Sequence, residues 1–249
     1  MEKLGVVIAT YNEAGNLPSL VDALESLPLP DGARLYVVDD SSPDGTSRAA
    51  RKLGSHYGNI SLINRPGKQG LGSALRDGIT AAMGDGCGHV LTMDADLSHD
   101  PRDVPRLLES AGETGADLVQ ASRYARGGRT VNLGLRGIPS RLANLAFHLI
   151  LGAPHEATTN FRVFSRRLAG YVVRESRGRD FEFQPECVLI AMKHRLAIVE
   201  VPITFTARTE GKSKLGPAQD LRLLAFFVWA LIAFRPGLGR FSRRNQPGP

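Results

Sequence analysis

Two carboxylates one residue apart, Asp94 and Asp96, are the side chains of this sequence best suited to chemistry. They follow His89–Thr92, an apolar run typical of a buried strand. Ligands of open α/β sheets bind beyond the carboxyl ends of the strands, so the pair is expected at a binding edge. Like charges this close repel unless a cation or water lies between them, and Mg²⁺ prefers carboxylate and phosphate oxygens. The spacing therefore indicates a metal–diphosphate site, with a solvated loop before Asp100-Pro101 as the alternative.

Three other apolar runs end, like this one, in polar or glycine-rich loops. Each run with its loop occupies residues 5–13, 35–46 and 60–74. Helix-length amphipathic segments separate the four runs, and strands that alternate with helices form parallel sheets. Right-handed crossovers would bring all four loops to one edge of that sheet. The predicted fold class is α/β, with a mostly parallel central sheet flanked by helices.

The residues of these four loops match a known family pattern. They read Thr10-Tyr11-Asn12-Glu13, Val38-Asp39-Asp40-Ser41-Ser42-Pro43-Asp44-Gly45-Thr46, Gly67-Lys68-Gln69-Gly70-Leu71-Gly72 and Asp94-Ala95-Asp96-Leu97-Ser98-His99. Together they resemble the family-2 glycosyltransferases, and in particular the group of dolichyl-phosphate (polyprenyl-phosphate) mannose synthases. The resemblance continues in shorter motifs at residues 122–124, 161–162, 183–186, 200–205 and 208–214.

This resemblance implies a nucleotide-sugar-binding fold of the glycosyltransferase A type and a division of the chain. Residues 1–215 would form the catalytic domain, with a donor-binding half at 1–121 and an acceptor-binding half at 122–215. Residues 216–249 would form an amphipathic helix and a basic tail.

The same resemblance implies an enzyme, an inverting glycosyltransferase that depends on Mg²⁺ or Mn²⁺. It would transfer mannose from GDP-mannose to a polyprenyl (dolichyl-type) monophosphate by a single in-line displacement. The first alternative is the same fold with a UDP-sugar, carrying glucose or N-acetylhexosamine, or with an acceptor that is not a lipid. A non-catalytic subunit is the second alternative, and the presence of both donor-side and acceptor-side charges argues against it.

The resemblance also implies roles for individual residues. The donor-binding residues would be Thr10, Tyr11, Glu13, Asp39, Asp40, Lys68, Asp94 and Ala95. The metal would be held by Asp94, Asp96 and, more weakly, Ser98. The acceptor phosphate would be bound by Arg123, Arg136, Arg208 and Lys214, and the catalytic residues would be Asp96, Arg123 and Arg208.

Several of these segments also have a purely structural interpretation. Asn12–Asn16 is a typical helix-capping sequence, and Asp44 or Ser42 could cap a helix that starts near Thr46. The Gly67–Gly72 loop could be a plain tight turn.

The stretch 156–162 departs from the family pattern at two positions. Glu156 stands where relatives have Asp, and Asn160 stands where they have Gly. The stretch is expected near the transferred sugar, so these positions bear on the identity of the sugar or acceptor and not on the reaction class. His99 is expected to pack within its loop, because imidazole prefers softer ions than Mg²⁺.

Charge is distributed unevenly along the 249 residues. Residues 1–100 carry 8 basic and 13 acidic side chains, whereas residues 101–249 carry 23 basic and 12 acidic ones. This division favours a cation in the first half and anions in the second. Nucleic acid is not the expected anion, because the second half has no zinc-finger spacing, RNP-like aromatic strand or continuous basic helix. Cys87 and Cys187 lack a CxxC spacing and are expected as buried or free thiols in a reducing compartment.

Two apolar stretches bear on membrane contact. The run within residues 217–234 is too short for a bilayer span of about 20 residues; it fits an interfacial helix, or a helix packed on the core or on a partner subunit. Ile138–Leu151 could form a lipid-facing lip over the site, or its Leu142/Leu145/Leu149 stripe could be ordinary core. A strand begins within a few residues of Met1, so no secretory signal is expected. The predicted location is cytoplasmic and peripheral, at the cytoplasmic face of the membrane.

Overall fold

A computed structural model of the chain describes residues 2–131, 138–206 and 225–230. The nine strands of this part are β1 (Leu4–Thr10), β2 (Arg34–Asp39), β3 (Ile60–Asn64), β4 (His89–Asp94), β5 (Leu118–Ser122), β6 (Arg129–Val131), β7 (Arg162–Ser165), β8 (Ile198–Pro202) and β9 (Thr204–Thr206). The helices are α1 (Leu17–Glu25), α2 (Thr46–Tyr57), α3 (Leu71–Gly84), α4 (Val104–Thr114), α5 (Ile138–Leu151), α6 (Arg166–Glu175) and α7 (Phe183–Lys193).

Seven strands form the central sheet in the order β3-β2-β1-β4-β7-β5-β8, and β6 pairs with β9 in a small second sheet. The strands β1 to β4 are parallel, and Val6 lies opposite Leu35 on one side and Leu91 on the other. The predicted mostly parallel α/β sheet is confirmed, and all four predicted strand-to-loop transitions occur at its carboxyl edge.

One strand runs against the others. β7 pairs antiparallel with β4 and also with β5, and its Val163 lies between Leu91 and Val119. Because β7 is reversed, its amino-terminal end lies at the same edge as the carboxyl ends of β4 and β5. The chain that enters β7 therefore joins the loops that were already expected to form the site.

Helices cover both faces of the central sheet, and each face has its own apolar core. Val7 points into the core formed with α3, α6 and α7, whereas Val6 and Ile8 point into the core formed with α1 and α4. This alternation is the two-residue period of a strand buried on both sides. Cys87 and Cys187 are free, buried thiols, as predicted.

The helix α5 exposes three of its leucines and buries the polar side chain of Asn144. Leu142, Leu145 and Leu149 are 61%, 52% and 71% exposed, so their interpretation as ordinary core is wrong. The opposite side of the helix carries buried Asn144 and Phe147. The periodicity of the leucines is real, but it marks the outward-facing side.

The predicted C-terminal helix is described over residues 225–230, which are helical. Phe227 is buried there and packs edge-on against Phe147 of α5, with ring centroids 4.3 Å apart. Val228 and Trp229 are half exposed. This turn is therefore amphipathic. In the part of the chain that the structure describes, no helix has the length and hydropathy to cross a bilayer.

Candidate functional site

The acidic pair lies where β4 ends at the carboxyl edge of the sheet. The Asp94 side chain is 29% exposed, and the Asp96 Oδ1 accepts a hydrogen bond of 3.0 Å from the backbone N–H of Ser98. Leu97, between Asp96 and Ser98, adopts a left-handed φ of 58° and is 40% exposed. A branched side chain rarely takes this conformation, and such residues concentrate at functional loops. The tight turn therefore begins directly after the acidic pair.

The donor atoms of this loop fit a hard divalent cation. Asp94 and Asp96 offer carboxylate oxygens, which Mg²⁺ and Mn²⁺ favour. Within the described residues no group of three or more His, Cys, Asp or Glu side chains is arranged to hold a metal. Two carboxylates with the remaining positions filled by substrate phosphates and water are typical of Mg²⁺ sites. Ser98 is buried, and its role as a third ligand stays a prediction.

His99 packs behind the acidic pair, as expected. Its ring lies 5.1 Å from the ring of Phe161 and 5.5 Å from that of Phe205. Burial lowers the pKa of His99 to about 4, so the imidazole is neutral at pH 7. Its Nδ1 lies 3.9 Å from Asp94 Oδ2. The neutral ring adds no positive charge to the space beside the carboxylates.

The aspartate that ends β2 and the one that follows it, Asp39 and Asp40, are buried and hold their loop together. Asp39 accepts hydrogen bonds from the hydroxyls of Thr10 at 3.0 Å and of Ser47 at 2.5 Å. Asp40 Oδ2 accepts from the backbone N–H groups of Gln69 at 2.9 Å and Gly70 at 3.3 Å. These bonds connect the end of β1, the loop after β2 and the loop after β3 at the carboxyl edge of the sheet. Direct nucleotide contact by Asp39 and Asp40 stays a prediction.

Sequence reasoning missed a buried arginine, Arg65, that contacts these loops. Arg65 is 4% exposed, and its Nη1 lies 2.9 Å from Asp40 Oδ1. The same guanidinium donates to Gln69 Oε1 at 3.1 Å and lies 3.2 Å from Asp77 Oδ2. Arg65 therefore fixes the glycine-rich loop against the β2 loop. An isolated arginine after a strand carries no signal of this partnership, since the partners lie on different loops.

The other residues predicted to bind the donor lie at the end of β1 or in the loops after β1, β3 and β4. Lys68 Nζ stands 4.8 Å above the ring of Tyr11, a cation–π distance. Glu13 and Thr10 are buried, and Glu13 Oε2 accepts from Asn16 Nδ2 at 2.8 Å. Ala95 is also buried, between the two aspartates.

The structural interpretation of these loops is confirmed only in part. Asp44 Oδ1 accepts a hydrogen bond of 3.0 Å from the backbone N–H of Thr46, the first residue of α2, although the N-cap position itself is Gly45. Asn16 is the N-cap residue of α1, but its side chain donates to Glu13 Oε2 and caps no backbone N–H, so the capping prediction for Asn12–Asn16 is wrong for this side chain.

Arg123, just beyond β5, is the cation that was predicted to bind the acceptor phosphate. Its Nε donates to Glu156 Oε2 at 2.9 Å, and its Nη2 donates to Ser140 Oγ at 3.0 Å and to Thr158 Oγ1 at 3.3 Å. The guanidinium also lies 4.9 Å from the ring centre of Phe205. No described residue accepts a hydrogen bond from Nη1, and contact of this nitrogen with an anion stays a prediction.

Two buried carboxylates, those of Glu156 and Glu200, hold Arg123 and the segment that contacts it. Glu156 is 1% exposed and accepts from Thr158 Oγ1 at 2.7 Å and from Asn144 Nδ2 at 3.3 Å. Glu200 of β8 in turn accepts from the backbone N–H of Glu156 at 2.9 Å. Burial would raise the pKa of Glu200, but hydrogen bonds from His155 and the hydroxyl of Ser122 outweigh it and hold that pKa below its usual value. The two carboxylates fix the loop that leads into β7.

Three predicted acceptor residues, Arg136, Arg208 and Lys214, lie outside the described residues. Their assignment stays a prediction. The structure brings the donor-side residues and Arg123 to one edge of the sheet.

Comparison with known proteins decides the family. The sequence model described as "Glycosyl transferase family 2" matches residues 5–171, more than half of the chain. The chain belongs to glycosyl transferase family 2. The predicted family is confirmed, and this protein is a glycosyltransferase.

Curated relatives within this family match most of the glycosyltransferase described here. The polyprenol monophosphomannose synthase of Mycolicibacterium smegmatis is 36% identical over 217 residues, which cover 85% of this chain and 80% of that protein. The dolichol-phosphate mannosyltransferase of Pyrococcus furiosus is 33% identical over 220 residues, which cover 86% of this chain but only 59% of that protein.

Solved structures show the same fold. The glucosyl-3-phosphoglycerate synthase from Mycobacterium tuberculosis, in complex with Mn²⁺, UDP and glucosyl-3-phosphoglycerate, has a TM-score of 0.69. It is 20% identical in sequence, and the match covers 92% of this chain and 79% of that one. The same enzyme with Mn²⁺, UDP-glucose and phosphoglyceric acid gives a TM-score of 0.70 at 21% identity. The predicted glycosyltransferase A-type fold is confirmed.

The ion pair between Arg123 and Glu156 generates a stability prediction. The change Glu156→Gln keeps the side-chain size but leaves Arg123, which is 12% exposed, without its counter-charge. Breaking a buried pair in this way should lower the free energy of unfolding by about 3 kcal/mol. The matched control is Glu175→Gln, which weakens the contacts of Glu175 with His194 and with Lys193, whose side chain is 55% exposed, and should cost about 1 kcal/mol or less. Urea denaturation measures both, and equal losses would show that the buried pair has no special structural role.

Proposed function

We propose that this glycosyltransferase transfers mannose from GDP-mannose to the phosphate of a polyprenyl (dolichyl-type) phosphate, with inversion at the anomeric carbon. The observation that carries the proposal is the joint placement of Asp94 and Arg123. The ring of Phe205 contacts both the guanidinium of Arg123 and the ring of His99, which in turn lies 3.9 Å from Asp94. The residues proposed for the metal–diphosphate and for the acceptor phosphate are therefore neighbours. The names of the two curated relatives agree with mannose as the transferred sugar and with a polyprenol or dolichol phosphate as the acceptor.

The acceptor needs positioning more than activation. A lipid phosphate is already an anionic nucleophile, so the reaction requires no strong general base. Arg123 would bind it through Nη1, while Glu156 and Ser140 hold the guanidinium in place. The phosphate oxygen forms a bond to the anomeric carbon of mannose as the bond from that carbon to the GDP oxygen breaks. A cation held by Asp94 and Asp96 would neutralise the charge that develops on the leaving diphosphate.

The proposal extends to the residues and boundaries that the family resemblance assigns. Arg136, Arg208 and Lys214 would complete the acceptor-phosphate site. Residues 1–121 would bind the donor and 122–215 the acceptor, with 216–249 as an amphipathic helix and basic tail.

A lipid acceptor also requires a surface that meets the membrane. The outward side of α5 and of the turn 225–230 exposes six large apolar side chains, namely Leu142, Leu145, Leu149, Ile150, Val228 and Trp229. Exposed apolar side chains that include a tryptophan are typical of membrane-surface helices. Ser140, at the start of α5, accepts a hydrogen bond of 3.0 Å from Arg123 Nη2 through its Oγ. We propose that α5 rests on the cytoplasmic face of the membrane and delivers the lipid phosphate to Arg123.

Transfer of radiolabelled sugar tests the function directly. With Mg²⁺ or Mn²⁺, label from GDP-mannose should enter solvent-extractable polyprenyl phosphate. The change Asp96→Asn should lower the rate by about 100-fold or more, because metal stabilisation of the leaving group is worth several kcal/mol. Asp31→Asn, in an exposed turn, is the control and should be fully active. Faster transfer from UDP-glucose would replace the mannose assignment with the UDP-sugar alternative, and a fully active Asp96→Asn would refute the metal site.

Membrane contact by α5 is tested with vesicles. The double change Leu145→Glu/Leu149→Glu should reduce co-sedimentation with phosphatidylglycerol vesicles by about 10-fold or more, since each leucine loses apolar burial in the lipid. The control Ser55→Glu/His56→Glu adds nearly the same charge on the exposed side of α2. It should reduce binding only slightly, in a manner that added salt also produces. Equal reductions in the two variants would mean that α5 does not contact the membrane.

A further inference from the structure

We infer that Asn160 is a positioning residue for the metal-binding carboxylate Asp94. Its side-chain Nδ2 donates a hydrogen bond of 3.0 Å to Asp94 Oδ1. The inference rests on the proposed metal–diphosphate site, and it assigns a role to a residue that departs from the family pattern.

The backbone of Asn160 is fixed independently of its side chain. Its carbonyl oxygen accepts a hydrogen bond of 2.6 Å from the hydroxyl of Thr92, which lies on β4 two residues before Asp94. Asn160 is 4% exposed, so the side chain has little freedom to leave Asp94. The amide is thus tied to the same strand that presents the carboxylate.

The chemistry of the contact fixes the orientation of the amide. An ionised carboxylate only accepts hydrogen bonds, so the NH₂ group and not the oxygen of Asn160 must face Asp94. One oxygen of Asp94 is therefore held by a neutral donor, while Oδ2 lies on the side of His99. A neutral donor restrains the carboxylate without competing with a cation for its charge, which a lysine or arginine at this position would do.

A restrained carboxylate should bind a cation more tightly. Groups that hydrogen-bond to metal ligands orient them, and their loss typically costs about 10- to 100-fold in metal affinity. A glycine at this position could not make the contact. The support that Asn160 gives to Asp94 therefore depends on its side chain.

Titration of Mn²⁺, followed by electron paramagnetic resonance, tests the inference in the full-length protein. In Asn160→Gly, Mn²⁺ affinity in the presence of GDP should fall about 10-fold. The control Ser165→Ala removes a side-chain hydrogen bond of 2.8 Å to Asp117 at the opposite end of β7. It should lower the melting temperature but leave Mn²⁺ affinity unchanged, which separates positioning of Asp94 from general stability.

A second variant gives a readout that does not depend on affinity. Asn160→Asp has nearly the same shape but places a second carboxylate against Asp94, and like charges at this distance repel unless a cation lies between them. The melting temperature without metal should fall below that of Asn160→Gly, and Mn²⁺ should raise it by more than it raises that of wild type.

The outcomes distinguish the inference from the function on which it rests. Wild-type Mn²⁺ affinity in Asn160→Gly, with Asp96→Asn strongly impaired, would overturn the role of Asn160 and leave the proposed function standing. Failure of the wild-type protein to bind Mn²⁺ at all would overturn both.

Discussion

The antiparallel position of β7 between β4 and β5 is the constraint on which the rest of the site depends. Had β7 been parallel, its preceding loop would lie at the opposite edge of the sheet, away from Asp94 and Arg123. In the reversed orientation that loop passes between them, and residues four apart in sequence serve the two sides. Glu156 pairs with Arg123, and Asn160 contacts Asp94. One short segment thereby contacts both the proposed metal-binding carboxylate and the arginine proposed to bind the acceptor.

The segment before β7 is held in place by a buried charged side chain, whose burial by itself opposes folding. Arg162, the first residue of β7, is fully buried and donates to the carbonyls of Ala157 at 2.9 Å and Gln184 at 2.6 Å. No described carboxylate lies within ion-pair distance of it, and burial lowers the pKa of its guanidinium although the charge of Glu156 acts in the opposite direction. Desolvation of a buried cation opposes folding. The arginine is therefore better explained by the loop geometry it fixes than by a contribution to stability.

Local sequence patterns predicted the four strand-to-loop transitions at the carboxyl edge of the sheet, because each strand and its polar loop are contiguous in the chain. They could not predict the support of the acceptor side. Arg123 and Glu156 are 33 residues apart, and Glu200 lies 44 residues beyond Glu156, so only the folded sheet brings them together. The antiparallel direction of β7 could not be predicted for the same reason. The leucines of α5 show a second limit of sequence patterns. Periodicity identifies one apolar side of a helix, but it does not tell whether the core or a lipid surface covers that side.

Diffraction from crystals grown with Mn²⁺, GDP and a short-chain polyprenyl phosphate tests most directly whether both substrates meet at this edge. The anomalous signal of Mn²⁺ should lie about 2.1–2.3 Å from a carboxylate oxygen of Asp94 or Asp96. The acceptor phosphate should lie within hydrogen-bond distance of Arg123, on the Nη1 side. A manganese ion bound elsewhere, or a phosphate bound away from Arg123, would contradict a shared site.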